Sequence, residues 1–274
     1  MTLEDGRPAT DQGPRPALRA ARTRLGLVAV LLLLAALGWW WTAAQMRGMD
    51  AGPWTALGGF AWFVLLWVVM MAAMMFPSVA PTVALYARMT RGRTPLASTA
   101  FTAGYLLTWT AAGVVAWLLA QAVGGLAGGS LTWDAGGRVL AGAVIAFAGV
   151  YELTPLKDVC LGRCRSPLGF LLGSWRDGPA GGLRMGVLLG AWCLGCCWAL
   201  MLALFALGVM SLVWMAFIAV LIAVEKTAPW RAVVTWGTAV LLVALGVLVL
   251  VAPGAVPGLT IPVTPAGMPG MPGM

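Results

Sequence analysis

Residues 185–226 read MGVLLGAWCLGCCWALMLALFALGVMSLVWMAFIAVLIAVEK, with no charge before the closing Glu225-Lys226 pair. A helix needs about 20 apolar residues to cross the hydrocarbon core, so this stretch is long enough to cross twice. Gly208 is the natural turning point, and the segment reads as a tight hairpin of two membrane helices. The rest of the chain agrees with it. Of 274 residues, 61% are hydrophobic and 9% are charged, whereas a soluble domain carries about 25% charged residues. So few charges cannot cover a water-exposed surface, which excludes most soluble enzyme folds.

Seven apolar stretches are long enough to be spans: Leu25–Trp41, Trp54–Phe76, Ser98–Ala122, Val139–Leu156, Met185–Leu207, Val209–Val224 and Val233–Ala252. The expected fold is all-α, a polytopic transmembrane helical bundle occupying residues 25–252. Residues 1–24 read as a disordered basic cytoplasmic arm, and residues 253–274 as a Pro/Gly/Met-rich tail on the outside. The first span is preceded by a basic arm, as a signal peptide would be. Its length and its closing Trp39-Trp40-Trp41, which reads as an interfacial belt, favour an uncleaved anchor. Of the 17 Lys and Arg, all but Arg47 and Arg138 lie in the N-terminal arm or in the loops after the second, fourth and sixth spans. Those segments share one side. Positive loops stay in the cytoplasm, so the expectation is an inner-membrane protein with a cytoplasmic N-terminus and an outside C-terminus. The same asymmetry accounts for the net charge of +8 without nucleic acid as a partner; the lipid bilayer is the partner it implies. Gly136-Gly137, Gly142 and Gly149 are expected to let helices approach closely.

The chain has no histidine, 5 Cys and 15 Met. Triads, zinc sites and haem ligation that depend on histidine are therefore excluded within the chain, and any coordination must be soft. Met70, Met71, Met74 and Met75 cluster toward the inner end of the second span, with Met70/Met74 and Met71/Met75 each on one helix face. Cys160 and Cys164 lie in the following cytoplasmic loop. Cys193, Cys197 and Met201 stack on one face of the fifth span, with Cys196 beside them. Thiolate and thioether donors suit Cu(I). Each group also has a bland reading: Met fills gaps in cores, and free Cys behaves as a small buried hydrophobe. Dithiol redox chemistry is a third reading of the cysteines. Three cysteines within five residues, joined by two in the adjoining loop, make metal binding the preferred reading. Glu152 and Glu225 are read either as functional intramembrane acids or as interfacial residues paired with Lys157 and Lys226. No paired carboxylates stand at a spacing suited to acid–base work, and no phosphate-binding or nucleophile motif is present. The Met-rich tail reads as a low-complexity end rather than a metal lure.

The segments Met70-Met71-Ala72-Ala73-Met74-Met75-Phe76-Pro77, Tyr151-Glu152-Leu153-Thr154-Pro155-Leu156-Lys157 and Cys193-Leu194-Gly195-Cys196-Cys197-Trp198 resemble a domain-of-unknown-function family of predicted metal-binding integral membrane proteins. Cys160, Cys164 with Arg165-Ser166-Pro167, Gly208-Val209-Met210 and Glu225-Lys226 extend the resemblance. It implies membrane location and metal binding, without a substrate or a reaction. The family pattern places a His-Gly just before the first cysteine of the Cys-x-x-Cys-Cys segment. Leu189-Gly190 stands there in this chain, so either sulfur alone would hold the metal or this member has lost the site.

The leading expectation is an integral inner-membrane protein that binds a soft metal ion, Cu(I), with transfer of the ion as a further role; an enzymatic role stays open, and a non-enzymatic one is preferred. Cys193, Cys196 and Cys197 would form the core, and Cys160 and Cys164 a cytoplasmic donor or acceptor pair. Met70, Met71, Met74, Met75 and Met201 would extend a thioether path, with Glu152, Glu225 and Lys226 nearby. A membrane protein or a metallochaperone would be the protein partner. The alternatives are a membrane dithiol oxidoreductase and a non-catalytic subunit of a larger complex.

Overall fold

The structure is a computed structural model that describes residues 15–45, 59–90, 95–127, 136–208 and 211–256. Its helices are α1 (Arg15–Gln45), α2 (Phe60–Met89), α3 (Pro95–Ala127), α4 (Arg138–Glu152), α5 (Pro155–Arg165), α6 (Pro167–Ser174), α7 (Gly178–Gly208), α8 (Leu212–Thr227) and α9 (Arg231–Val251), followed by one 3-10 turn. The all-α bundle expected from hydropathy is what forms. α1 begins ten residues before the expected first span, while residues 1–14, Arg47, Val209, Met210 and the tail from residue 257 lie outside the described residues.

The spans differ from expectation in number and in their ends. Among the described residues five helices are long and apolar enough to cross a membrane, and α4 with α5 makes a sixth only as a pair bent by 67°. The fourth expected span, Val139–Leu156, is cut at Glu152 by Pro155, which has no N–H to donate and restricts the residue before it. Thr154 then caps α5: the Lys157 backbone N–H donates to Thr154 Oγ1 at 3.4 Å, with Pro155 at the first helical position. The sixth expected span survives as α8, of 16 residues; at 1.5 Å per residue it is about 24 Å long, short of the roughly 30 Å core. Conversely α2 runs through Pro77 and Pro81 to Met89, where an end near Phe76 was expected. Prolines are tolerated in a membrane helix that packs among other helices; Ser78, next to Pro77, turns its Oγ back on the helix and donates to the Met75 carbonyl at 2.8 Å. Met70–Met75 and Cys193 therefore lie near the middle of helices of about 45 Å, not close to an inner end.

Glycines set the helix spacing. α3 packs on α7 and α4 on α9. A Cβ on Gly186 would overlap the Phe101 carbonyl, and one on Gly190 would come within 2.7 Å of Thr108 Oγ1. A Cβ on Gly149 would lie 2.8 Å from the Ala239 carbonyl, and one on Gly246 2.7 Å from that of Gly142. The Thr108 hydroxyl donates across the first seam to the Val187 carbonyl at 3.2 Å. α7 turns into α8 at Gly208, whose φ of 105° favours glycine, and the Ser211 N–H closes the turn on the Gly208 carbonyl at 3.0 Å. Gly186→Val should lower stability by about 1–3 kcal/mol through backbone displacement at the α3–α7 seam, read as an earlier midpoint in denaturant unfolding. Gly26→Val, in open space, should leave that midpoint unchanged.

Candidate metal centre

Cys193, Cys196 and Cys197 are buried at the middle of α7. The 67° bend after α4 lays α5 along α7 and brings in Cys164, partly buried, with its Sγ 3.9 Å from that of Cys196. Cys196 Sγ is 3.4 Å from Cys197 Sγ. The sulfurs of Cys164, Cys193 and Cys196 all lie within 4.8 Å of one another. Three thiolates bound to one d¹⁰ ion at about 2.3 Å stand about 4 Å apart, so this cluster needs only a small contraction to close on an ion. All five cysteines are free thiols.

Cys193 is the most heavily contacted of the set. The Tyr105 hydroxyl from α3 lies 3.1 Å from its Sγ. From α8, Lys226 Nζ also lies at 3.1 Å, and from α2 Met75 Sδ lies at 4.0 Å. Lys226 further donates to Ser78 Oγ at 3.2 Å, with Met75 Sδ 3.9 Å away. The hairpin register explains the meeting: Cys193 on α7 and Lys226 on α8 are each about four turns from the connection. A thiolate at this depth needs positive compensation, and the ammonium supplies it.

The remaining sulfur residues take other places. Cys160 is buried against α7, where a Cβ on Gly195 would lie 2.7 Å from its Sγ; it is not among the three clustered thiols, so of the expected Cys160/Cys164 pair only Cys164 joins the cluster. The Tyr151 hydroxyl fixes the same α7 segment by donating to the Gly195 carbonyl at 2.6 Å. Met70, Met71, Met74 and Met201 are buried in the core, while Met75 reaches the cluster. Leu189 is buried one turn before Cys193 on the same face.

The acids correct the interfacial reading. Glu152 and Glu225 are both buried, and Lys157 lies between them, 2.8 Å from Glu225 Oε2 and ion-paired to Glu152. Two carboxylates far apart in sequence thus share one site. Lys226, expected beside Glu225, instead faces sulfur. Sequence reasoning missed Tyr105, Ser78 and the bridging position of Lys157. The spacing of Phe101, Tyr105 and Trp109 marked a helix face, which by itself looks like aromatic packing.

A family model described as PpoB2, copper chaperone, matches residues 64–249. The chain belongs to this family. No curated protein and no solved structure matches it. The matched region of the copper chaperone family takes in every cysteine and α2 from Val64 onward, so the sulfur cluster and the acid cluster both lie inside it.

Removing one member of a buried ion cluster leaves uncompensated charge, at a cost of about 3–5 kcal/mol. Lys157→Met should therefore destabilise the protein strongly in chemical unfolding. Adding Glu152→Gln and Glu225→Gln should recover most of the loss, which a pure packing defect would not allow.

Proposed function

We propose that this chain is a copper-handling protein of the inner membrane that takes Cu(I) on Cys164, Cys193 and Cys196 and passes it to a protein partner. The observation that carries the reading is the convergence of three thiols from two helices on one point, in a chain of the copper chaperone family. Soft donors select Cu(I), and no imidazole is available to favour another ion. Three thiolates around Cu(I) carry a net charge of −2, and Lys226 beside Cys193 offsets one unit.

Cys164 is the more exposed thiol of the three and the natural point at which a partner's thiol exchanges for the ion. Cys197 and the Met75 thioether stand next in line within the membrane. Met70, Met71, Met74 and Met201 continue that soft surface, and Cys160 is a reserve thiol behind Gly195. The charge asymmetry of the loops puts α5 on the cytoplasmic side, with the N-terminus, so cargo is taken from a cytoplasmic metallochaperone. The protein binds and transfers its ion. With Leu189 in place of the family's histidine, the site holds its ion through sulfur.

Protein purified anaerobically should carry about one copper per chain, held by a tight site of this soft class, as measured by elemental analysis against protein concentration. Cys193→Ser and Cys196→Ser should each abolish retention through gel filtration, and Cys164→Ser should weaken it. Cys160→Ser and Met201→Leu should leave it near wild type. Wild-type protein that holds no copper after reconstitution, or copper equally retained by the Cys193 and Cys196 variants, would overturn the reading.

A further inference from the structure

A second buried cluster lies beside the sulfur site and has no part in holding copper. α4 ends on Glu152, α5 presents Lys157, and α8 presents Glu225. All three side chains are at most 2% exposed. Lys157 answers both acids, so the cluster contains two carboxylates and one ammonium. Every other charged group in the surroundings is committed elsewhere. From α5, Arg165 donates to the backbone carbonyls of Glu225 and Ala228, not to a carboxylate. Asp158 of α5 pairs with Arg231 of α9 at the surface. From α8, Lys226 faces Cys193, and from α4 the Tyr151 hydroxyl is spent on the Gly195 carbonyl. The Cys160 thiol of α5 packs against Gly195 of α7. Fully ionised, the cluster would bury one unmatched negative charge.

The oxygens tell the same story independently. Glu152 Oε1 and Glu225 Oε1 are buried with no hydrogen-bond partner, although buried polar atoms are nearly always satisfied. One added proton removes both faults, because a carboxyl O–H donates to a neighbouring carboxylate and the net charge becomes zero. Like charges sharing a site cannot both ionise freely.

Glu152 also forms part of the wall of a cavity of about 510 Å³ between α4, α5 and α9, whose lining includes Thr154, Asp158, Arg231, Thr235 and Trp236. Asp158 and Arg231 are exposed, so this lining reaches water. We propose that Glu152 and Glu225 hold one proton between them beside Lys157, and exchange it with water of this cavity when the wall over the Glu152 carboxylate, which is 0% exposed, opens. In the exchange the carboxyl O–H bond breaks and the proton passes to a cavity water, giving hydronium. The carboxylate keeps the electron pair, and no redox partner is needed.

The position of this site gives the proton a use. Glu225 and Lys226 are consecutive on α8 and point about 100° apart, one into the acid cluster and one into the sulfur cluster. A change of charge at Glu225 is therefore felt next to the ammonium that faces Cys193, so release of the proton would offset the charge of a monovalent cation arriving there. That coupling rests on the copper reading; the proton site itself does not.

The test is infrared difference spectroscopy on copper-free full-length protein. The sequence has three glutamates, Glu4, Glu152 and Glu225, so ¹³C-carboxyl glutamate addresses the cluster almost alone. The wild type should show, at neutral pH, a protonated-carboxyl C=O band that shifts on labelling and on transfer to D₂O. Glu152→Gln and Glu225→Gln should each remove it, since a neutral amide replaces the acid. Cys193→Ser should keep it, and Thr235→Trp, which fills the cavity, should slow its shift in D₂O. If the glutamine variants do not fold, the label-dependent wild-type band decides the question alone. Absence of that band at neutral pH, its persistence in both glutamine variants, or its loss on adding sodium or potassium at constant pH would overturn the proposal, the last by making an alkali cation the occupant.

Discussion

Lys157 is buried and Lys226 half-buried in a chain that has few charges, and the bundle is arranged around answering their two ammonium groups. An uncompensated charge in a low-dielectric interior is among the most costly features a fold can contain. Lys226 is met by Cys193, Ser78 and Met75, and Lys157 by Glu152 and Glu225. These partners come from α2, α4, α7 and α8. The bend between α4 and α5, the run of α8 through Glu225 and Lys226 and the passage of α2 through two prolines all bring those partners to one level.

That level is also where the sulfur is. The glycine seams hold α3 close enough to α7 for the Tyr105 hydroxyl to reach Cys193, and α5 is laid across α7 so that Cys164 reaches Cys196. A soft cation entering this cluster meets donors that are already collected, with a fixed positive charge beside them. The ammonium stabilises the ionised thiol that a metal requires, and it also opposes a second cation. Such a site suits an ion that is held and then passed on.

Much of this architecture was legible in the sequence. Long apolar runs located α1, α2, α3, α7 and α9, and the glycine at position 208 located the hairpin. The break at Thr154-Pro155 lay in plain view but was absorbed into a span, because hydropathy continues across it to Leu156. α2 was ended too early for the opposite reason: proline stops helices in water more reliably than in an apolar interior. The cysteine set was visible as a cluster in sequence, yet its membership was not, since it depends on where α5 meets α7: Cys164 reaches Cys196, while Cys160, one turn earlier, packs against Gly195. Lys226 was assigned to Glu225 by adjacency, although consecutive helical residues do not face each other. Glu152 and Glu225 are 73 positions apart, and no local pattern could reveal that one lysine serves both.

The hairpin between α7 and α8 also has a consequence for how such chains can vary. Its connection is remote from sulfur, on the far side of four helical turns, and hydropathy would treat it as a spacer. Yet each residue inserted ahead of α8 would rotate the downstream helix by about 100° and advance it by about 1.5 Å if the helix kept its place. Glu225 and Lys226 would then exchange or abandon their neighbours. Insertions and deletions there are phase changes rather than changes of length, and the short connection is bound to the same constraint as the cysteines it never touches.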